Sequence, residues 1–325
     1  MFTIGIDLGG TNIAIGLCDE NLNIIDKGSV PTLASRDAEL IIKDMASLTE
    51  EIIKRNRLST EDIEYVGIAA PGSVNPEECI VEYCNNIPLV NFPIAKEFKK
   101  YLPVNKIYLA NDANAAALGE ALSGCSKGTK NSVMVTLGTG VGGGVIIDGK
   151  IFDGGVNFAG AELGHMVIDF NGRPCTCGRR GCWEAYSSAT ALTAMTKEKM
   201  EELKIKGICS LLFEEAEKEG KVSAKTSFNA MKRGDKYGEK IVEDYIYFLA
   251  VGITNLINIF QPEILCIGGG VCNEKENLTK PLIELVERCQ YTRDSVNKTK
   301  IVIATLGNDA GIIGAAGLGR QTSQL

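Results

Sequence analysis

Two apolar, strand-like runs, each broken by a dense glycine turn and then resumed, constrain this chain more than any other feature. The first is Phe2-Thr3-Ile4-Gly5-Ile6-Asp7, a turn at Gly9-Gly10, and Ile13-Ala14-Ile15-Gly16-Leu17-Cys18. The second is Ser132-Val133-Met134-Val135-Thr136-Leu137, glycines at 138, 140, 142, 143 and 144, then Val145-Ile146-Ile147 and an Asp148-Gly149 turn. Each reads as two strands joined by a tight glycine hairpin, and a third strand is expected over 23–30. One starts at Phe2 and the other at Ser132, a spacing far too long for a solenoid repeat, so the pattern predicts an internal duplication of a βββα unit. A two-lobed body with a cleft between the lobes is the expected consequence.

The remaining periodicity is consistent with this. Ile41, Ile42, Met45, Leu48, Ile52 and Ile53 fall at helical spacing within 37–55, and Tyr65-Val66-Gly67-Ile68-Ala69 reads as a buried strand ending at Pro71-Gly72. Apolar positions recur every three to four residues from Asp235 to Phe260, predicting a long helix that ends before Pro262. Its wide apolar stripe suits a homodimer or dimer of dimers, and equally a buried core helix. Ile264-Leu265-Cys266-Ile267 then forms a short strand running into Gly268-Gly269-Gly270, and a strand at Ile301-Val302-Ile303-Ala304 precedes a small-residue helix from Asp309 to Gly319. Such alternation indicates an α/β protein, and 325 residues with 45% apolar content suffice for two domains.

Charge and cysteine usage exclude several classes. Thirty-four Lys and Arg against 41 Asp and Glu give a net charge of −7, which is no footprint for nucleic-acid phosphates. No window approaches 18 consecutive apolar residues, so no membrane span is expected. Residues Met1 to Asp7 carry no secretory signal, and eleven cysteines in such a chain point to reduced thiols and a cytoplasmic location.

Four constellations can carry chemistry. Asp7-Leu8-Gly9-Gly10-Thr11-Asn12 sets a carboxylate at a strand end before two glycines whose bare amides can approach an anion; an ordinary hairpin is the alternative. The second loop, Thr136 to Gly144 with Gly138, Thr139 and Gly140, is harder to ascribe to turn geometry, because each glycine in a regular element costs about 0.5–1 kcal/mol against Ala. Close backbone approach to a polyphosphate accounts for that cost, and Gly268-Gly269-Gly270 can abut a flat base or ribose for the same reason. Asn111-Asp112 follows a strand and opens an Ala-rich helix, so Asp112 is either a helix N-cap or a general base for a sugar hydroxyl attacking a γ-phosphate, with Asn111 beside it.

The fourth constellation is Glu162-Leu163-Gly164-His165 followed by Cys175-Thr176-Cys177-Gly178-Arg179-Arg180-Gly181-Cys182. One histidine, the only one in the chain, plus three thiols make a closed tetrahedral zinc set with no open catalytic position; a redox loop is the competitor, but C-x-C is not the thioredoxin spacing. Glu184 lies just beyond Cys182, so the loop would carry it back toward Glu162 and His165. With Asn86, Asn111 and Asp112 these groups would make a polar pocket for hydroxyls.

Together these residues resemble the ROK family of sugar kinases, within the actin and hexokinase-like fold class, over essentially the whole chain. Asp7 to Asn12 is similar to that family's first phosphate motif, Asn111-Asp112 to its catalytic segment, Thr136 to Gly144 to its second phosphate motif, and Gly268 to Val271 to its nucleotide-base turn. The most specific likeness is Glu162-x-Gly-His165 with Cys175-x-Cys177-Gly-x-x-Gly-Cys182-x-Glu184. The segment Leu306 to Ala316 is similar to the ending of the family's glucokinases. The resemblance implies a small N-terminal lobe over 1–118, completed by a C-terminal helix at 308–325, and a large lobe over 119–307.

It further implies Asp112 as catalytic base and Asn86, Asn111, Glu162, His165 and Glu184 as sugar ligands. Asp7, Gly9, Gly10, Thr11, Asn12, Thr136, Gly138, Thr139, Gly140, Gly268, Gly269 and Gly270 would bind ATP with Mg²⁺, the favoured sugar being glucose. His165 would serve both Zn²⁺ and the sugar, one ring nitrogen each. The loop Asn85 to Asn91 lacks the tryptophan common there in the family's glucokinases, with Val90 near that position. Other ROK members phosphorylate N-acetylmannosamine, allose or fructose, and a non-catalytic sugar sensor would share the sugar and zinc elements. ROK repressors carry a helix-turn-helix ahead of the first phosphate motif, which here begins at residue 7.

Overall fold

The computed structural model describes residues 1–321. In chain order it contains β1 (Phe2–Leu8), β2 (Asn12–Cys18), β3 (Ile24–Pro31), α1 (Ala38–Arg55), β4 (Ile63–Ala70), β5 (Ser73–Asn75), β6 (Ile80–Tyr83), β7 (Val90–Phe92), α2 (Ile94–Tyr101), β8 (Ile107–Asn111) and α3 (Asp112–Ser123). There follow β9 (Ser132–Leu137), β10 (Val141–Ile147), β11 (Lys150–Ile151), α4 (Glu184–Ser187), α5 (Ala189–Ile205), α6 (Leu211–Lys218) and α7 (Ala224–Lys232). The chain then forms α8 (Lys236–Phe260), β12 (Ile264–Gly268), α9 (Glu276–Cys289), β13 (Lys300–Ile303) and α10 (Ala310–Gly317). It divides into two compact units: one of residues 1–134, 144–161 and 304–325, the other of residues 135–143 and 162–303. Residues 119–134 and 144–161 thus group with the first unit, whereas the family resemblance had them in the large lobe. Of the C-terminal helix placed at 308–325, residues 322–325 lie outside the described residues.

The expected duplication is visible in strand order. One five-stranded sheet runs β3-β2-β1-β4-β8 and the other β11-β10-β9-β12-β13. In each, three successive strands are laid down in reverse and the next two are added beyond the first. In the first sheet β1, β2 and β3 pair antiparallel while β1-β4 and β4-β8 are parallel; in the second, β10-β11 is antiparallel and β12-β13 parallel. A small sheet, β5-β6-β7, carries the Asn85-Asn86 loop between its last two strands.

Local sequence explains the elements. In α1 the apolar positions at three-to-four-residue spacing, Ile41, Ile42, Met45, Leu48, Ile52 and Ile53, are the buried face, packed with Ile4, Ile6, Ile13 and Ile15 of the sheet. Glu39 in its first turn and Lys54 and Arg55 in its last complement the helix dipole. The small-residue composition of α10 is a matter of contact distance. A Cβ on Gly67 of β4 would lie 1.8 Å from the Ala315 carbonyl oxygen, and one on Gly314 would lie 1.7 Å from the Ala115 oxygen of α3. Backbones approach that closely only without side chains, so α10 is wedged between the sheet and α3, fixing the helix that begins with Asp112.

In the second unit, α8 is capped by Asp235, whose carboxylate accepts from the Tyr237 and Gly238 amides, and ends at Gln261 in the left-handed region. Most of its apolar stripe is core: Ile241, Tyr245, Leu249, Ile253, Leu256 and Ile257 are buried. Tyr247 and Ile259 of the same helix are 55% and 65% exposed. Among the described residues no helix is long and apolar enough to cross a membrane.

Candidate active site

In the first unit, β1 delivers Asp7 to its C-terminal end and the chain turns at once: the Gly9 amide donates to the Asn12 carbonyl at 3.0 Å. Thr32, fully buried, braces this turn from β3's end. Its hydroxyl donates to the Gly9 carbonyl at 2.6 Å, and its amide to the Thr11 carbonyl at 2.8 Å. No sequence signal singled out Thr32, because a buried Thr after a strand is commonplace until its partner is known. Gly10 faces the small sheet's loop, where a Cβ would stand 3.4 Å from Asn86 Cβ. Asn85 is engaged elsewhere, its Oδ1 accepting from the Tyr83 hydroxyl at 2.7 Å.

Of the two roles the sequence leaves open for Asp112, helix cap or general base, the cap belongs to its neighbour. Asn111, not Asp112, is the N-cap of α3: its Oδ1 accepts from the Ala113 and Asn114 amides at 2.9 and 3.2 Å. Its Nδ2 donates to the carbonyl of Gly72, a residue with φ of 88° whose Cβ would otherwise meet the Tyr83 carbonyl at 2.1 Å. Asp112 is the first helical residue, half-buried, with Oδ1 receiving the Ala113 amide at 2.8 Å. The carboxylates of Asp7 and Asp112 repel one another, and burial first, then this repulsion, pushes the Asp7 carboxyl up to about 6. Asp7 Oδ2 also lies 2.5 Å from where a Cβ on Gly311 would stand, in the first turn of α10. Two carboxylates so arranged favour a cation between them and the ligand, and Mg²⁺, which prefers carboxylate and phosphate oxygens, fits that chemistry.

In the second unit the glycine-rich loop separates into parts with different duties. The turn is only Gly138 to Gly140, closed by the Gly138 amide on the Gly140 carbonyl at 3.0 Å, and β10 begins at Val141. Space beside the Gly138 Cα is open, while its amide closes the turn and its carbonyl accepts from the Ala189 amide at 2.9 Å. A Cβ on Gly140 would lie 2.2 Å from Glu184 Oε2, which also accepts from the Val141 amide at 3.0 Å. Gly144 lies in the first unit, against α3, where a Cβ would come within 2.6 Å of Ala117 Cβ. The run of glycines therefore combines an open turn with close packing. Gly269, at φ 93°, sets the third turn against the end of β9, where a Cβ would be 2.3 Å from the Leu137 carbonyl, and Gly270 faces open space.

Glu162 precedes a 3-10 turn, Leu163–His165, so it and His165 sit on consecutive sides of one turn, with the His165 amide on the Glu162 carbonyl at 3.1 Å. Gly164 between them permits contact with Val141, whose carbonyl oxygen would be 2.1 Å from a Cβ there. His165, Cys175, Cys177 and Cys182 present ligand atoms all within 4.8 Å of one another. Cys177 Sγ lies 3.6 Å from Cys182 Sγ, and Cys175 Sγ lies 3.7 Å from His165 Nδ1. A tetrahedral Zn²⁺ with Zn–S near 2.3 Å sets its ligands about 3.8 Å apart, so the donor set fits the ion; disulfide sulfurs sit at about 2.05 Å and do not. The Arg179 backbone amide draws the Cys177 thiol down to about 6, toward the thiolate that a metal requires.

Trp183, the chain's only tryptophan, anchors this loop. It is fully buried, donates from Nε1 to the Phe248 carbonyl at 3.0 Å, and packs where a Cβ on Gly252 of α8 would lie 2.0 Å away. Its position between Cys182 and Glu184 was the available signal that the loop needs a rigid base. Glu184, the first residue of α4, joins the glycine turn to the thiol loop, its Oε1 lying 3.4 Å from Thr176 Oγ1. A cavity of about 520 Å³ is lined by Thr139, Cys175, Thr176, Glu184 and the start of α5.

A model described as ROK family matches residues 3–322. The chain is 39% identical over 317 residues to a glucokinase of Thermotoga maritima, covering 97% of this chain and 96% of that one. It is 35% identical over 319 residues to a glucokinase of Halalkalibacterium halodurans, covering 98% and 94%. Among solved structures it is similar to a ROK family glucokinase from Streptomyces griseus in complex with glucose and AMPPNP, with a TM-score of 0.78, 31% identity, and 99% and 100% of the two chains covered.

Proposed function

Because the chain belongs to the ROK family, we propose that it transfers the γ-phosphoryl group of ATP to a hexose hydroxyl, the 6-hydroxyl of glucose, with Asp112 as general base. The observation that carries this reading is the full-length likeness to glucokinases, in a chain whose Asp112 opens α3 with its carboxylate held by the Ala113 amide. The sugar O–H proton passes to Asp112 as the oxygen bonds to the γ-phosphorus and the bond to the ADP oxygen breaks. Carboxylates are weak bases, so the proton transfer gains from a positioned acceptor next to a developing nucleophile, at about 10²–10⁴-fold in rate.

Asn86, beside Gly10, and Asn111 are proposed as sugar ligands, with Asp7 orienting the nucleotide's Mg²⁺. Glu162, His165 and Glu184 are proposed as further sugar ligands. His165 turns Nδ1 to the thiols, which supports a role for Nε2 on a sugar hydroxyl. Zn²⁺ on His165, Cys175, Cys177 and Cys182 would supply rigidity rather than Lewis acidity, since all four positions are filled by protein. Gly9 to Asn12, Gly138 and Gly270 form the turns that would face the phosphates and base of ATP. Thr136, Thr139, Gly140, Gly268 and Gly269 complete that set. Val90, where the family's glucokinases commonly carry tryptophan, is 62% exposed and leaves the sugar rim without that wall. A cytoplasmic homodimer joined through the exposed residues of α8 completes the reading.

The test is ADP release with ATP and Mg²⁺ across glucose, mannose, fructose, allose and N-acetylmannosamine. Preference for glucose is the expected result. Turnover of a different hexose replaces the substrate and keeps the base, while turnover of none refutes the kinase reading in favour of a sugar sensor.

A further inference from the structure

The peptide joining Gly9 to Gly10 is the least constrained of the first turn, because a plane flanked by two residues without Cβ meets little steric resistance to rotation. A side-chain donor fixes it. Thr32, fully buried just beyond β3, donates from its hydroxyl to the Gly9 carbonyl at 2.6 Å, while its amide holds the Thr11 carbonyl at 2.8 Å. In a planar trans peptide the N–H points opposite to the C=O, so a Gly9 carbonyl held toward Thr32 turns the Gly10 amide away from it. Gly10 and Thr11 are exposed, and neither amide donates to a protein group among the described residues. Thr32 therefore engages the negative ends of these peptide dipoles and leaves the Gly10 N–H on the far side, the polarity that an anion requires.

Thr32 is itself held. The chain reverses after it through Leu33, at φ 47°, with the Arg36 amide on the Leu33 carbonyl at 3.1 Å. Arg36 then donates from Nε to the Thr32 carbonyl at 3.1 Å and pairs through Nη1 with Oδ2 of Asp44, in α1, at 2.7 Å. We infer that Thr32, held by Arg36, is a positioning residue for the phosphoryl donor: it presets the Gly10 amide toward the nucleotide's phosphates and so sets nucleotide affinity without touching the ligand. This role rests on Gly9 to Asn12 being the nucleotide turn proposed above. A peptide plane already fixed need not be ordered when the nucleotide arrives, so the gain falls on affinity. The same plane serves the bound ground state and the transition state, which places the effect in KM for ATP and not in kcat.

The experiment is isothermal titration of the full chain with AMPPNP and Mg²⁺, and separately with glucose, on wild type, Thr32→Val, Thr32→Ser and Arg36→Met, with steady-state kinetics alongside. Thr32→Val keeps the shape of the side chain and removes the donor. It should weaken AMPPNP binding and raise KM for ATP about tenfold, roughly the worth of one hydrogen bond, with glucose affinity and kcat within about twofold of wild type. Thr32→Ser restores the hydroxyl and should bind AMPPNP within about twofold of wild type. Arg36→Met leaves Thr32 in place and should weaken AMPPNP about threefold; it carries the test where Thr32→Val does not fold. Wild-type AMPPNP affinity in Thr32→Val or in Arg36→Met, equal losses of glucose and AMPPNP binding, or a Thr32→Ser protein as impaired as Thr32→Val overturns the role of Thr32 and leaves the kinase reading standing. A wild-type protein that binds glucose but no AMPPNP removes the nucleotide turn, and both readings with it.

Discussion

Replacing Asp7 by asparagine should stabilise the ligand-free protein, by an amount that depends on pH. The folded carboxyl titrates at about 6 instead of 3.8, a difference of about 2 pH units, and each unit corresponds to about 1.4 kcal/mol. The unfolded chain loses this proton near pH 4 and the folded chain near pH 6, so between those values the folded state binds more protons and stability falls as pH rises. Above pH 6 the full penalty of about 3 kcal/mol applies, and below pH 4 none does. The introduced amide imitates the protonated acid in shape and cannot ionise, so the Asp7→Asn variant escapes the penalty. Urea unfolding followed by circular dichroism, on both proteins in Mg²⁺-free buffer from pH 4.5 to 8, reads the burial of the Asp7 charge together with its repulsion of Asp112. The difference in unfolding free energy should grow from about 1 kcal/mol at pH 4.5 to about 3 kcal/mol at pH 8. A difference that stays flat with pH, or destabilisation at pH 8, would refute the reasoning that burial and Asp112 hold Asp7 under electrostatic stress. Phosphoryl transfer should fall in the same variant, since the stress serves cation binding.

Further outcomes follow from other contacts. Glu120 is fully buried and accepts from the amides of Cys125, Thr305 and Leu306 at 2.7 to 2.8 Å, so Glu120→Gln turns an amide group against those donors and should cost about 2–4 kcal/mol by denaturant unfolding; unchanged stability would show that the loop at 304–306 does not depend on it. Cys177→Ser should bring bound zinc, read by elemental analysis, from one per chain to none, and should change Trp183 fluorescence and weaken glucose binding together, because structural zinc contributes on the order of 10 kcal/mol to ordering its loop. A zinc-free variant with wild-type sugar affinity would break that link. Asp112→Ala should keep the fold and sugar affinity while kcat falls about 10²–10⁴-fold, and near-wild-type kcat would remove it as the base.

Much of the site was legible in sequence where chemistry is local. Three thiols within eight residues and a histidine ten residues upstream of the first announce tetrahedral ligation whatever the fold, and the four donors do converge. The glycine hairpins announced the duplicated strands, because a chain reversal between two apolar runs leaves few alternatives. Of the two roles open to Asp112 in sequence, cap or general base, the cap falls to Asn111, a distinction that only backbone dihedrals make because Asn and Asp are nearly equal caps. The glycine run at 138–144 was taken as one feature, and the structure divides it between a hydrogen-bonded turn, the Glu184 carboxylate and the face of α3.

What the sequence by itself determined was the alternation of elements, the metal-ligand set and the candidate carboxylates, all encoded by spacing along a few turns or strands. Tertiary structure alone decided which distant segments those groups meet. Thr32 braces the first glycine turn, Glu184 ties the second to the thiol loop, and α10 returns from the far end of the chain to press on Gly67 and α3. The physical reason is that periodicity reports burial and hydrogen bonding within one element, whereas a contact between elements depends on backbone separations set by the packing of the whole unit.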